Sequence, residues 1–165
     1  MGTTKCFGCG GVTVEMDGPI HAYMLAAPGC WQLYSSLQDW KDSLVGPEGA
    51  DTIQWVVDSY AVQHATNPDK RNLQSVAVHL MSICASLEHG VSGVRLRSKL
   101  GEWTHRDYPE LLPRPQAYPI TVRDVTDAVA ARRPGVARSW ATTAWMAWSP
   151  HHDEVRNWLA EFGSL

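Results

Sequence analysis

Three of the four cysteines and one histidine fall within the first thirty residues: Cys6-Phe7-Gly8-Cys9-Gly10, then His21, then Cys30. Two thiols separated by two residues, joined by a third thiol and an imidazole, form the ligand set of a tetrahedral zinc site. The two residues between Cys6 and Cys9 include Gly8, so the backbone can curl round one ion. Gly10-Gly11 offers the positive φ that such a knuckle uses. The spacing therefore predicts zinc held by Cys6, Cys9, His21 and Cys30, in a segment too short and glycine-rich to bury a core of its own. Two alternatives stay open: a redox dithiol, which no surrounding βαβ pattern supports, and a three-cysteine site closed by a distant histidine such as His64. Four protein ligands would make the site structural; a missing one would admit water and make it catalytic.

A second set of residues could do acid–base work. Asp58 and His64 lie near the end of one predicted helix, His79 within the next, and His151-His152 at the start of the last. A helix N-terminus disfavours the imidazolium, so the last pair stays neutral, fit to bind a metal or act as a base. The sharp reading is that His64, His79 and His151 or His152 converge between helices, walled by Tyr60, Trp145 and Trp148, with Asp58 orienting an imidazole. Such a site could hold a second divalent ion or work without one. The plain reading makes His64 a helix cap, His79 a satisfied core residue, and one of the final pair an exposed group.

The elements that must position these residues are mostly helical. Hydrophobic periodicity predicts helices over 31–44, 50–64, 72–88, 94–103, 122–132, 136–148 and 150–162. The run 12–16 alternates and ends at Asp17-Gly18-Pro19, which suggests a short hairpin beside the knuckle. Pro109, Pro113, Pro115 and Pro119 exclude helix and sheet from 107–120 and predict an ordered crossing or lid. The fold class is mainly α: one domain over 1–165, a helical bundle in which residues 1–30 form a zinc-knuckle segment packed on a helical core, 31–165.

Composition narrows the function. A net charge of −3, with Lys and Arg scattered, argues against nucleic acid as a partner. No run approaches the roughly 18–20 apolar residues of a membrane span, and no signal pattern opens the chain. A cytoplasmic protein with reduced thiols is expected, with Cys84 a buried structural cysteine. Eight tryptophans stand against two phenylalanines. They read first as bulky core residues and second as walls of a ligand cavity.

Several motifs resemble an uncharacterised bacterial family, domain of unknown function 5946. They are the Cys-x-x-Cys-Gly start, His21-x-Tyr23, Pro28-Gly29-Cys30-Trp31, the run Val57 to His64, Ser75 to Leu80, and Trp145-x-x-Trp148-Ser149-x-His151-His152 followed by Val155-Arg156-x-Trp158-Leu159. The resemblance covers nearly the whole chain. It implies one domain and fits a cytoplasmic protein of a specialised biosynthetic pathway, but it carries no reaction. The expectation is then a small zinc-binding enzyme acting on a small molecule through a histidine-lined pocket, by metal-assisted hydrolysis or by proton transfer in a lyase, isomerase or cyclase step. The rival is a zinc-stabilised binding or scaffold protein with a tryptophan-lined cavity and no catalysis.

Overall fold

A computed structural model describes residues 2–162. Two short strands, β1 (Thr3–Lys5) and β2 (Val12–Val14), pair antiparallel with Thr4 opposite Thr13. Helices follow: α1 (Pro28–Ser36), α2 (Gln38–Asp42), α3 (Gly46–Gln63), α4 (Lys70–His89), α5 (Gly93–Trp103), α6 (Val122–Asp127), α7 (Arg133–Ala147) and α8 (His152–Phe162). The chain is mainly α, as its periodicity predicts. Among the described residues no helix is long and apolar enough to cross a membrane.

Helix α3 is the axis of the molecule. It packs against α7, α4 and α5, and α4 packs in turn against α8. A helix enclosed on several sides cannot show one apolar stripe. The apolar residues at helical spacing, Ile53, Val56, Val57 and Tyr60, are accordingly only part of what α3 turns inward. Thr52, Gln54, Asp58, Ser59 and Gln63 are buried as fully as Val56 and Tyr60. Buried polar groups need partners, and several find them within the fold: Thr52 Oγ1 donates to the Glu48 carbonyl at 2.9 Å, and Gln63 Nε2 to the Ile120 carbonyl at 2.7 Å.

Prolines and caps explain where the helix boundaries depart from the periodic pattern. The helix predicted over 50–64 starts at Gly46, because Pro47 sits in the first turn of α3, where its missing N–H has no intrahelical role. Pro134 does the same for α7, which therefore starts at Arg133 rather than Val136. The helix opened by Thr121 is correspondingly short. The Thr121 amide donates to the Asp124 carboxylate at 2.8 Å, but Ala128 turns extended and ends α6 after six residues. Gly90, at φ 66°, closes α4 in the left-handed conformation that glycine adopts freely.

Two apolar clusters divide the interior. One gathers Val76, Leu80, Ile83, Leu96, Trp103, Trp148 and Trp158 around α4. The other gathers Leu37, Val56, Tyr60, Val122, Val125 and Trp140 around Cys6, Cys9 and Cys30. The proline-rich crossing bears on both through Tyr118, whose hydroxyl donates to the Val62 carbonyl at 3.1 Å. Tyr108 is also buried, with its hydroxyl bonded to the Trp103 carbonyl at 2.9 Å. The crossing is thus ordered by its tyrosines.

Candidate metal centre and a second polar cluster

The knuckle is the turn of the hairpin itself. Cys6 N donates to the Gly11 carbonyl and Gly10 N to the Cys6 carbonyl, both at 2.8 Å, and Gly10 takes φ 73°. This loop turns the Cys6 and Cys9 side chains toward the helices. Cys30 comes from the first turn of α1, near the end whose partial positive charge favours a thiolate. Gly29 lets that turn approach β2, since a Cβ there would collide with the Val14 carbonyl oxygen.

The fourth member of the group is His64, at the C-terminal cap of α3. Cys6, Cys9, Cys30 and His64 are all buried, and their ligand atoms lie within 4.8 Å of one another. His64 Nε2 is 3.5 Å from Cys6 Sγ and 3.4 Å from Cys30 Sγ, and Cys9 Sγ is 3.8 Å from Cys30 Sγ. A tetrahedron with metal–sulfur bonds of about 2.3 Å and a metal–nitrogen bond of about 2.0–2.1 Å has edges of roughly 3.8 Å between sulfurs and roughly 3.6 Å from sulfur to nitrogen. The three distances match those edges, so the group can hold one metal ion.

Neighbouring groups fix the ligands. His64 Nδ1 lies 2.7 Å from the Tyr60 carbonyl, which can only accept, so Nδ1 carries the proton and Nε2 keeps its lone pair for the ion. Ala27 N donates to Cys6 Sγ and Gly11 N to Cys9 Sγ, each at 3.4 Å. Three sulfurs at this spacing do not share their protons equally. Hydrogen bonds from Cys30 and Cys9 hold Cys6 far below the usual thiol range, while Cys6 and Cys9 push Cys30 upward. A divalent cation bound there would supply the charge that lets all three ionise together.

His21 lies outside this group, and the geometry matches the alternative of three cysteines closed by His64. His21 Nδ1 accepts from the backbone of Tyr23 and Met24, both at 3.4 Å, and its ring meets Trp31 edge-on. Burial lowers its pKa, and the nearby Arg71 charge adds to the effect. The histidine that reaches the sulfurs is 34 residues beyond Cys30, brought back by the length of α3.

Gly8 leaves a signature of this packing. A Cβ there would strike His64 Cδ2. Gly8→Ala should loosen metal binding by about tenfold or more without touching a ligand, since neighbours of a metal site typically change affinity 10–100-fold. Competition with a chromophoric chelator measures it; an unchanged affinity would show that the knuckle tolerates the displacement.

The expected meeting of three histidines is not found. Both nitrogens of His64 are engaged at the metal centre, and no group of three histidines is close enough to share an ion among the described residues. His151 Nε2 contacts the Pro113 carbonyl at 2.9 Å, and His152 Nε2 the Trp145 carbonyl at 2.9 Å. His152 also stacks on Trp145 with ring centroids 3.7 Å apart. Trp145 donates to Glu88 at 3.0 Å and Trp148 to the Val62 carbonyl at 3.3 Å, so both act as core residues with satisfied indoles. The hollow beside Trp148 measures about 10 Å³. That is no more room than one water needs. Tyr60 lies between Tyr34 and His64, at centroid distances of 4.0 and 4.1 Å.

Asp58 and His79 do meet. Asp58 Oδ1 is 2.6 Å from His79 Nδ1 and accepts from Gln54 Nε2 at 2.7 Å; Oδ2 accepts from Ser82 Oγ at 2.6 Å. Asp58 is wholly enclosed, whereas 14% of the His79 side chain is exposed. With Nδ1 bonded to Asp58, Nε2 is the free ring nitrogen, and it has no hydrogen-bond partner among the described residues. His79 lines an open cavity of about 250 Å³ between α4, the end of α5 and Tyr23.

Cys84, Glu88 and His89 also lie close together. Arg156 takes both Glu88 oxygens at 2.9 Å and holds that carboxyl down at about 2. Burial pushes the Cys84 thiol up to about 12, where it stays protonated. The Glu88–Arg156 pair is a structural tie between α4 and α8.

A family model described as "Family of unknown function (DUF5946)" matches residues 4–149. The chain belongs to DUF5946. No curated protein and no solved structure matches it. The DUF5946 match spans every residue of both polar clusters.

Proposed function

We propose that this protein is a zinc-stabilised enzyme acting on a small molecule by acid–base chemistry, with His79 as the proton-transferring group and Asp58 as its positioning partner. The observation that carries this reading is the 2.6 Å contact between buried Asp58 and Nδ1 of a histidine that lines a cavity. Asp58 holds the ring with Nδ1 protonated, so Nε2 presents a lone pair to a ligand. When Nε2 takes a proton, the carboxylate balances the imidazolium, as an orienting acid does in other His–Asp pairs.

Zinc is the ion assigned to Cys6, Cys9, Cys30 and His64, because three thiolates and one imidazole in a tetrahedron suit it best. All four positions are filled by protein and all four ligands are buried, which supports a structural ion. The chemistry is then proton transfer of a lyase, isomerase or cyclase type at His79, rather than hydrolysis by a metal-bound water. A reducing, cytoplasmic setting fits four free thiols. Neither nucleic acid nor membrane is part of this reading.

The test is an untargeted one. A small-molecule extract is incubated in D2O with the metal-loaded protein or with His79→Gln, and products are read by mass spectrometry. The expected result is a wild-type-dependent mass change that the variant loses while its melting temperature stays within a few degrees. Identical spectra from both proteins would remove His79 from the chemistry. A purely structural role would show instead as lost stability.

A further inference from the structure

The cavity beside His79 carries charge of one sign. Arg71, Ser75 and His79 lie four residues apart along α4, so all three fall on one helix face, about 6 Å between successive neighbours. All three line the cavity, with Tyr23 and Thr104 opposite, and neither Asp nor Glu is among its lining residues. The Arg71 guanidinium lies over the Tyr23 ring at 5.1 Å and forms no salt bridge among the described residues. Tyr23 therefore holds it at the cavity wall without neutralising it. Ser75 is 8% exposed, and its buried hydroxyl has no hydrogen-bond partner. A serine inside a helix usually bonds the carbonyl one turn back. The Ser75 oxygen is itself enclosed, so it lies behind the wall, and the polar groups that remain for a ligand are the unpaired Arg71 cation and the free nitrogen of His79.

We propose that the cavity binds a small organic oxyanion, a carboxylate or a phosphate ester, with its charged group on Arg71 and an acidic C–H or O–H at His79 Nε2. This rests on the acid–base reading above and supplies its substrate class. A guanidinium offers a planar fork of donors that matches either oxyanion, which is why the two classes share one site. The step is a proton transfer. The substrate bond to hydrogen breaks, its electron pair remains on the substrate atom, and the proton joins the Nε2 lone pair. Asp58 faces the resulting imidazolium from behind, and Arg71 faces the charge on the substrate. A cavity of about 250 Å³ is below the roughly 300–1,000 Å³ of drug-sized pockets, so the molecule is small.

The experiment titrates the full metal-loaded chain, in a low-salt Tris chloride buffer, with inorganic phosphate in one arm and acetate in the other. Isothermal calorimetry reads affinity, and imidazole nitrogen NMR reads His79. One saturable site that shifts the His79 signals is expected in at least one arm, and the arm that binds names the class. Arg71→Gln should weaken that binding at least tenfold with the melting temperature unchanged, and His79→Gln should weaken it less. Absence of saturable binding in both arms, or binding that Arg71→Gln leaves unaltered, overturns the oxyanion assignment. The acid–base reading fails differently: it falls if the same spectra place the His79 proton on Nε2, whatever the anions do. Turnover of a neutral compound that depends on His79 would keep that reading and overturn this one.

Discussion

Stripping the ion with a strong chelator should lower the melting temperature by about 10 °C or more, and Cys30→Ser should do so without a chelator. The size follows from what the ion joins. The hairpin, the start of α1 and the end of α3 have few other reasons to meet, and Cys6, Cys9 and Cys30 sit inside one of the two apolar clusters. Structural zinc contributes about 10–16 kcal/mol to the folding of isolated finger peptides. Here α4, α5 and α8 retain their own apolar cluster, so only part of that is lost. Even about 4 kcal/mol corresponds to roughly 8–16 °C in a chain of this size. Acid should act in the same direction. Each sulfur must take up a proton to leave the ion, so retention weakens as pH falls. His21→Ala gives the contrast, because that ring contacts Tyr23 and Trp31 rather than the sulfurs. It should keep one metal per chain while Cys30→Ser and His64→Ala lose it. Scanning calorimetry beside elemental analysis decides the matter. Equal melting temperatures with and without metal would mean that the four side chains meet for some other reason.

The contrast between His21 and His64 shows how far the sequence reaches. Cys6, Cys9 and Cys30 are legible because their spacing alone constrains them to one small volume. The histidine is legible only as a choice between His21 and a distant one such as His64, because its distance along the chain says nothing about its distance in space. What selects His64 is the direction and length of α3, and the freed Tyr60 carbonyl one turn earlier that orients the ring. A faint signal exists in Gly8, whose missing side chain makes room for that imidazole. The Asp58–His79 pair needs the relative register of two helices, which periodicity does not supply. Its trace is the set of polar residues at helical spacing within otherwise apolar stretches: Gln54 with Asp58, and His79 with Ser82. Read as an amphipathic helix, α3 hides them; read as a helix enclosed on several sides, it requires them to pair. Two helix starts are hidden for a related reason: apolar periodicity begins α3 at 50 and α7 at 136. Pro47 and Pro134 stop a helix only from within, and both lie at a first turn.

Asp58→Ala should destabilise the protein by about 3–5 kcal/mol, the cost of leaving buried polar partners unmatched. Three donors converge on that carboxylate, from Gln54, His79 and Ser82, and no water can replace it where the residue is wholly enclosed. Asp58→Asn keeps the shape but gives up one acceptor and the negative charge. Its cost should be smaller, about 1–2 kcal/mol, because Ser82 can accept from the new amide and His79 can still donate to its oxygen. His79→Gln should change stability least, since that side chain stands at the cavity wall with a free face. Activity should rank otherwise. A positioned general base contributes about 10²–10⁴-fold, so His79→Gln and Asp58→Asn should each lose that much turnover although only one of them loses appreciable stability. Urea unfolding gives the first order and the D2O exchange assay the second. The two orders must differ if Asp58 orients an imidazole that works. If activity merely tracks stability across the three variants, the pair is a buried polar tie between α3 and α4, and the cavity beside it has no chemistry of its own.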